Sequence, residues 1–332
     1  MLFRSKSGKY SELFIHQRLK ARVLKSTGSW YVVETEHGAI INARLRGKLK
    51  QAGLRLTNPI AAGDRVILSK QVDEEGNHVI DEISKRTNYI SRKSTNLSKE
   101  MQILAANIDQ LFIIVTLKDP KTHPLFIDRF LVAAESFRIP VTLLFNKVDL
   151  YTKVEADLYK ILSEMYERIG YPCYQIQSTD KNSLEFLKKL IQGKQVMLGG
   201  NSGVGKSSIV NALDASIQLK TGEISAAHQQ GKHTTTFAEM HKLIFGGYVI
   251  DTPGIRSFGL IDLNKEHLGH YFPEIRSRMN QCKFNNCLHI KEPGCAVLAA
   301  VDRQEIAELR YGHYLAMLAE KEDDPYRRNK FL

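Results

Sequence analysis

Residues 195–213 read QVMLGGNSGVGKSSIVNAL, and this stretch decides the fold. Five apolar or small residues form a strand, a glycine-rich turn follows, and an alternation of helix formers begins at once. Within the turn, Gly200, Asn201, Ser202, Gly203, Val204, Gly205, Lys206 and Ser207 match G-x-x-x-x-G-K-[ST]. The flanking strand and helix are the context this motif requires. Glycines at 200, 203 and 205 let backbone amides curl around phosphate oxygens without Cβ clashes. Lys206 supplies a point charge toward the β- and γ-phosphates, Ser207 is placed to ligate Mg²⁺, and Ser208 continues the first helical turn. The helix N-terminus adds its dipole to the same anion.

Two further loops select the base. Asn146-Lys147-Val148-Asp149 follows directly on the buried strand VTLLF (141–145). The carboxyl end of a parallel strand is where nucleotides bind. A carboxylate at Asp149 accepts two hydrogen bonds from N1–H and the 2-amino group of guanine, which adenine cannot offer. Asn146 reaches the base edge or the phosphate loop, and the Lys147 stem covers the ring. Ser178-Thr179, after CYQIQ, stands where a second base loop belongs, without the usual Ser-Ala-Lys. Together with the phosphate loop these residues predict GTP and GDP as ligands. Asp149 argues against an ATP-dependent enzyme.

Asp251-Thr252-Pro253-Gly254 closes the strand YVID and fits D-x-x-G. Asp251 is expected to hold Mg²⁺ through water, and the Gly254 amide to sense the γ-phosphate. Between it and the phosphate loop runs Gly231-Lys232-His233-Thr234-Thr235-Thr236. Either Thr234 or Thr235 supplies a magnesium ligand from this run. Ile255 stands where Ras-like GTPases carry a water-orienting glutamine, and an apolar side chain cannot position water. His233 is the candidate substitute, as base or water-orienter. The alternatives are that it braces the loop or that a partner supplies the group.

The order of these parts is rotated. The guanine loop comes at 146, the second base loop at 178, the phosphate loop at 200, the threonine run at 231 and D-x-x-G at 251. The same parts in this order describe a circular permutation, cut just after D-x-x-G. The intervening texture agrees: IDQLFIIVTL (108–117), VTLLF, CYQIQ and QVMLG alternate with helical stretches at PLFIDRFLVAAESF, YKILSEMYERI and SLEFLKKLI. Strands alternating with helices mean a parallel sheet of βαβ units.

Both flanks differ from this core. From about residue 18 to 86 there are five short alternating runs, KARVLK, SWYVVET, GAIINARL, DRVILSK and HVIDEIS, broken at Gly28, Gly38, Gly63 and Gly76. Such punctuation reads as a small β-barrel of the OB type. Residues 1–100 hold 19 Lys+Arg against 10 Asp+Glu, so they carry most of the chain's net +11. A basic third beside a near-neutral remainder points to a polyanion. Trp30 and Tyr31 point to opposite faces of one strand, so at most one can stack on a base. Arg44, Arg46, Lys48 and Lys50 favour phosphate and shape contacts with structured RNA. Near the other end, Cys282-x₄-Cys287-x-His289-x₅-Cys295 offers three thiolates and an imidazole. That is a closed tetrahedral set for one structural Zn²⁺. Cys173 and His313 fall outside the pattern and read as packing or surface residues. No stretch approaches the ~20 apolar residues of a membrane helix, and the N-terminus has no signal-peptide core, so a cytoplasmic protein with no membrane partner is expected.

These residues together resemble the bacterial small-ribosomal-subunit biogenesis GTPases of the RsgA (YjeQ) family. The resemblance rests on Ala106-Asn107-Ile108-Asp109, the four nucleotide motifs in their permuted order and the Cys/His cluster, and it spans roughly residues 18–320. It implies a multidomain chain. A basic tail (1–15) precedes an OB-fold RNA-binding domain (16–86), a permuted α/β P-loop GTPase domain (87–262) and a mostly helical zinc domain (263–332). It also implies GTP hydrolysis stimulated by the small ribosomal subunit, contact with its rRNA, a role in its late maturation with hydrolysis driving release, and a monomer off the ribosome. The alternative is an rRNA-binding regulator that holds GTP with incidental turnover. The SRKSTNLSKE segment (91–100), read as the connector between barrel and GTPase domain, lacks the proline expected there.

Overall fold

The computed structural model describes residues 18–45, 59–73, 75–93, 101–219, 238–251 and 265–320. The five runs near the N-terminus are strands β1 (Leu19–Ser26), β2 (Trp30–Thr35), β3 (Ile40–Leu45), β4 (Arg65–Val72) and β5 (His78–Ile83). β1 pairs with β2 and β4, β2 with β3, β5 with β4, and β3 runs parallel to β5. Those pairings close a five-stranded OB-type barrel, as the sequence predicts. Val23, Tyr31, Val33, Ala43, Val66, Leu68 and Ile80 fill it, alternate residues of each strand pointing inward. Tyr31 is therefore core, and Trp30 is the exposed member of the pair, with the Arg44 guanidinium 3.9 Å above its ring.

The SRKSTNLSKE segment is not a plain connector. Its first three residues complete β6 (Tyr89–Lys93), which pairs with β7 (Met101–Ala106) just beyond the segment, Tyr89 opposite Ala106. Two strands precede the GTPase sheet that the sequence reading did not separate out. Asn107 and Asn88 then tie hairpin to barrel. Asn107 Nδ2 donates to Gly63 O at 3.0 Å and its Oδ1 accepts from Thr87 N, while Asn88 exchanges bonds with the Ile108 backbone. Buried Asp64, in the turn that enters β4, holds Arg86 just past β5 through a two-pronged pair, both bonds at 2.6 Å.

The nucleotide-binding half follows as β8 (Gln110–Val115), α1 (Pro124–Ser136), β9 (Val141–Phe145), α2 (Lys153–Arg168), β10 (Cys173–Gln175), α3 (Lys181–Ile191), β11 (Gln195–Gly199), α4 (Lys206–Leu213), β12 (Glu239–Lys242) and β13 (Tyr248–Asp251). In space the order is β10-β9-β8-β11-β13-β12, parallel throughout except β12. β8, β9 and β11 are buried on both faces, which is why they read as continuous apolar runs. Chain order departs in one direction from β8 and in the other from β11. The crevice between their carboxyl ends is therefore the topological switch point where ligands of such sheets bind. β12 was not anticipated. It is short and charged, and it meets β1 through the pair Lys25 to Glu239, so the GTPase sheet runs on into the barrel.

A 3-10 turn (Lys265–Tyr271) and helices α5 (Pro273–Met279), α6 (Ala296–Asp302) and α7 (Glu308–Ala319) form the C-terminal unit. α7 begins only at Glu308, because 303–307 form turns with Gln304 in the left-handed region. α7 is locked to α1 by buried charge. Arg310 pairs with Asp128 at 2.6 Å and with Glu274 at 2.7 Å, His313 Nδ1 lies 2.5 Å from Asp128, and Tyr166 donates to the same carboxylate at 2.9 Å. His313 is thus a packing residue of this network, and Cys173 is buried in the main core. Among the described residues no helix is long and apolar enough to cross a membrane.

Arg310 and Asp128 are both essentially inaccessible. Arg310→Met should leave two buried carboxylates uncompensated and lower stability by about 3–5 kcal/mol. Urea unfolding followed by circular dichroism reads this directly, and an unchanged midpoint would contradict it.

Candidate nucleotide site and metal cluster

The phosphate loop leaves β11 at the switch point, and each of its glycines meets a constraint. Gly200 has φ +139°, and a Cβ there would lie 2.6 Å from Ile114 O. Gly205 has φ +99°, and its Cβ would lie 2.4 Å from Asn146 Nδ2. Both positions need left-handed backbone and close approach, which only glycine tolerates. Val204 is buried and anchors the loop, while Lys206, Ser207 and Ser208 open α4. Lys206 Nζ lies 2.8 Å from Gly200 O and 2.6 Å from Asn201 O, so the ammonium sits inside the curl of the loop.

The guanine loop arrives from β9 and meets the phosphate loop directly. Asn146 Nδ2 donates to Val204 O at 2.8 Å across 58 positions of sequence. Asn146 is buried, and its Oδ1 has no hydrogen-bond partner among the described residues. An orphaned acceptor in that place is a vacancy in bonding that a ligand donor can fill. Lys147 adopts φ +61° and extends Nζ to Asp119 O at 2.5 Å. Asp149 follows in a one-turn 3-10 helix with its carboxylate exposed. Ser178 and Thr179 form the turn after β10, beside the guanine loop, since Ile176 N bonds to Phe145 O. Thr179 Oγ1 accepts from Gln177 Nε2 and Asp180 caps α3. Asp251 ends β13, next to β11. His233, Thr234, Thr235 and Gly254 lie outside the described residues, as do Arg46, Lys48 and Lys50.

One wall of the site was missed by sequence reasoning. After β8, Lys118–Thr122 folds back so that Thr116 N bonds to Thr122 Oγ1 and the Thr116 hydroxyl to Pro120 O. Pro120 Cδ then lies 3.5 Å from where a Gly203 Cβ would stand. The loop touches both the phosphate loop and Lys147. The Lys-Asp-Pro turn signal at the carboxyl end of a buried strand was the clue available.

The four predicted metal ligands converge. The ligand atoms of Cys282, Cys287, His289 and Cys295 all lie within 4.8 Å of one another. Cys282 Sγ is 3.9 Å from Cys295 Sγ, and His289 Nδ1 is 3.6 and 3.4 Å from those two sulfurs. Thiolates about 2.3 Å from a tetrahedral zinc stand roughly 3.8 Å apart, so the donor set fits one such ion. Burial pushes the Cys287 thiol up to about 12 and Cys295 upward, and holds His289 below its usual value. Neutral thiols crowded this closely gain from a dication that draws off their protons. The loop is braced from outside: Glu292 accepts from the Leu288, Ile290 and Lys291 amides, and Tyr311 and Tyr314 donate to His289 O and Leu288 O.

Against this geometry the comparisons are specific. The RsgA GTPase family model matches residues 83–261, and the RsgA N-terminal domain model matches residues 20–77. The chain belongs to the RsgA GTPase family. Small ribosomal subunit biogenesis GTPase RsgA 2 of Bacteroides thetaiotaomicron is 48% identical over 309 residues, covering 93% of this chain and 99% of its own. The corresponding RsgA of Flavobacterium johnsoniae is 48% identical over 308 residues, 92% and 94% of the two chains. Among solved structures, YjeQ from Thermotoga maritima superposes with a TM-score of 0.74 at 35% identity, covering 91% of this chain and 98% of that one. YloQ, described as a circularly permuted GTPase, superposes at 0.71 with 29% identity over 91% and 94%. The RsgA assignment agrees with the permuted strand order, and the chain is a GTP hydrolase of this family.

The close approach at Gly205 can be tested against a neutral glycine. Gly205→Ala should weaken GDP binding at least about tenfold, which is 1.4 kcal/mol, because the methyl collides with Asn146. Gly312→Ala, in open space on α7, should leave binding unchanged and stabilise by up to about 1 kcal/mol. Calorimetric titration of both variants checks the pair; equal affinities would remove the contact from the site.

Proposed function

We propose that this chain is a ribosome-assembly GTPase that binds the small ribosomal subunit, assists its late maturation and leaves after hydrolysis. The observation that carries the reading is the Asn146–Val204 bond, which brings the N-K-x-D and phosphate-loop motifs into contact. The relatives are named for small-subunit biogenesis, and the basic barrel offers the surface for a polyanion. Its rRNA contacts, a monomeric state off the ribosome and action in the cytoplasm belong to the same proposal. So do the domain limits 16–86, 87–262 and 263–332.

In this reading Asp149 selects guanine, with Ser178 and Thr179 flanking the base and Lys147 along its face. Gly200 to Ser208 hold the phosphates through backbone amides, and Lys206 leaves the loop carbonyls to meet phosphate oxygens. Ser207, one of Thr234 and Thr235, and Asp251 through water are the residues for Mg²⁺. When bound there, such an ion would supply charge neutralisation for the transferring phosphoryl group. Gly254 senses the γ-phosphate. His233 orients the attacking water or accepts its proton. Cys282, Cys287, His289 and Cys295 hold one structural Zn²⁺, with no open position for chemistry.

Multiple-turnover assays with and without small subunits test the function; absence of stimulation would favour the regulator that merely holds GTP. His233→Ala should lower stimulated turnover by roughly 10²–10⁴-fold with nucleotide affinity kept. Unchanged turnover would leave the water to another group.

Metal removal should act on structure rather than chemistry. A strong chelator is expected to release one zinc per chain and to melt the helices around it, read as lost ellipticity together with a colorimetric zinc count. Release of zinc with full retention of helix would show that the cluster does not organise the domain.

A further inference from the structure

The strands between the two switch motifs form a hairpin, β12 and β13, that is clamped to the barrel at both ends. At the end nearer the nucleotide, Glu239 pairs across the hairpin with Asp251 and makes an ion pair with Lys25 of β1 at 2.8 Å. At the far end, Lys242 and Tyr248 are opposite one another, and both reach Glu34 of β2. Lys242 Nζ lies 2.5 Å from Oε1 and Tyr248 OH donates to Oε2 at 2.7 Å. Arg22, the register partner of Glu34 on β1, places its guanidinium 4.1 Å above the Tyr248 ring. Two side chains of the hairpin thus bond one barrel carboxylate that is only 6% exposed, with Arg22 of the barrel alongside.

This cluster differs from a chance surface contact in two ways. Burial pushes the Glu34 carboxyl up, yet the bonds from Lys242 and Tyr248 and the nearby Arg22 prevail and hold it below its ordinary value. A buried, charge-assisted set of bonds is stronger than an exposed pair and has a defined geometry. Among the described residues, the backbone ladder between β1 and β12 is, by contrast, the single pairing of Lys25 with Glu239. The side chains, not the ladder, transmit position across this boundary.

We infer that Arg22, Glu34, Lys242 and Tyr248 form a positioning cluster that couples the nucleotide state read at Asp251 to the conformation of the barrel. The inference rests on the reading of Asp251–Gly254 as the γ-phosphate sensor. A shift of β13 at Asp251 is carried by its partner Glu239 to Lys25, and along the hairpin to Glu34, so both barrel strands feel it. Linkage is reciprocal: a polyanion that favours one barrel conformation must favour one nucleotide to the same degree. Such couplings typically amount to about 5–150-fold in affinity.

The chain carries one tryptophan, Trp30, on the same strand as Glu34 and partly exposed. It reports on the barrel without any label. In the full-length protein saturated with GDP, then with a non-hydrolysable GTP analogue, Trp30 emission and its quenching by acrylamide should differ. Tyr248→Phe, which removes one hydroxyl, and Glu34→Gln, which removes the charge, should each abolish most of that difference. Both should bind the two nucleotides within about twofold of the wild-type affinities by calorimetry, a shift of about 0.4 kcal/mol. In a second assay both variants should show at least about fivefold less stimulation by small subunits, the low end of such couplings. A wild-type Trp30 signal identical in the two nucleotides, or a full response in both variants, overturns the coupling. Asp251→Asn separates the underlying reading: if it keeps the wild-type response while Tyr248→Phe loses it, the cluster stands and the sensor lies elsewhere.

Discussion

Everything in the nucleotide-binding half depends on one hydrogen bond made by a side chain to a main chain, Asn146 Nδ2 to Val204 O. It sets the distance between the loop proposed to hold phosphates and the loop proposed to select a base. The bond needs a glycine at 205, since any Cβ there would occupy the amide's place. It also needs β9 and β11 to flank β8 in register, which the parallel pairings Ile113 to Leu143 and Gly199 to Ile113 supply. Permutation of the chain leaves this untouched. Loops at the carboxyl ends of parallel strands converge because of where the strands lie in the sheet, not because of when they are made. The 58-residue separation, in either direction, is immaterial to the contact.

Much of this was legible, for physical reasons that differ by element. Strands buried on both faces must be apolar throughout, so β8, β9 and β11 announce themselves. The barrel strands are separated by turns that demand positive φ, and the glycines at 28, 38 and 76 all take it. The Cys282, Cys287, His289 and Cys295 cluster is legible because a closed tetrahedral metal site would need such a fixed donor count. By contrast β12 is the four residues Glu-Met-His-Lys, half of them charged, and its pairing is with a strand over two hundred positions earlier. The β6–β7 hairpin was hidden by a polar stretch that reads as connector. The Asp128, Glu274, Arg310 and His313 network is four isolated residues scattered over nearly two hundred positions; nothing local marks them as partners.

The same long-range contacts qualify one expectation. A cut just after D-x-x-G leads the switch covalently toward the C-terminal unit, which suggests that nucleotide state moves that unit. The unit is, however, fixed to α1 by a charge network in which Arg310 and Asp128 are 1% and 0% exposed. Sliding it along α1 would strand a buried ion, at a cost of several kcal/mol. On the barrel side Glu34 is buried but its partner Lys242 has a side chain 54% exposed. Water can reach that ammonium, so straining this contact costs less than straining the fully buried one around Arg310.

The two boundaries therefore have unequal stiffness, and the inequality assigns them different work. On the proposed reading, a displacement generated at Asp251 would meet a rigid body that includes α1, α7 and the Cys/His loop, and a more compliant joint at the barrel. Motion goes where resistance is least, so α1 and the C-terminal unit act as the frame against which the hairpin and barrel shift. The edge strand fits this division. β1 pairs with β4 only through Arg22, leaving its last residues for β12, and that single pairing can yield without breaking the barrel's own closure. A longer ladder there would have fused barrel and sheet into one block and abolished the distinction.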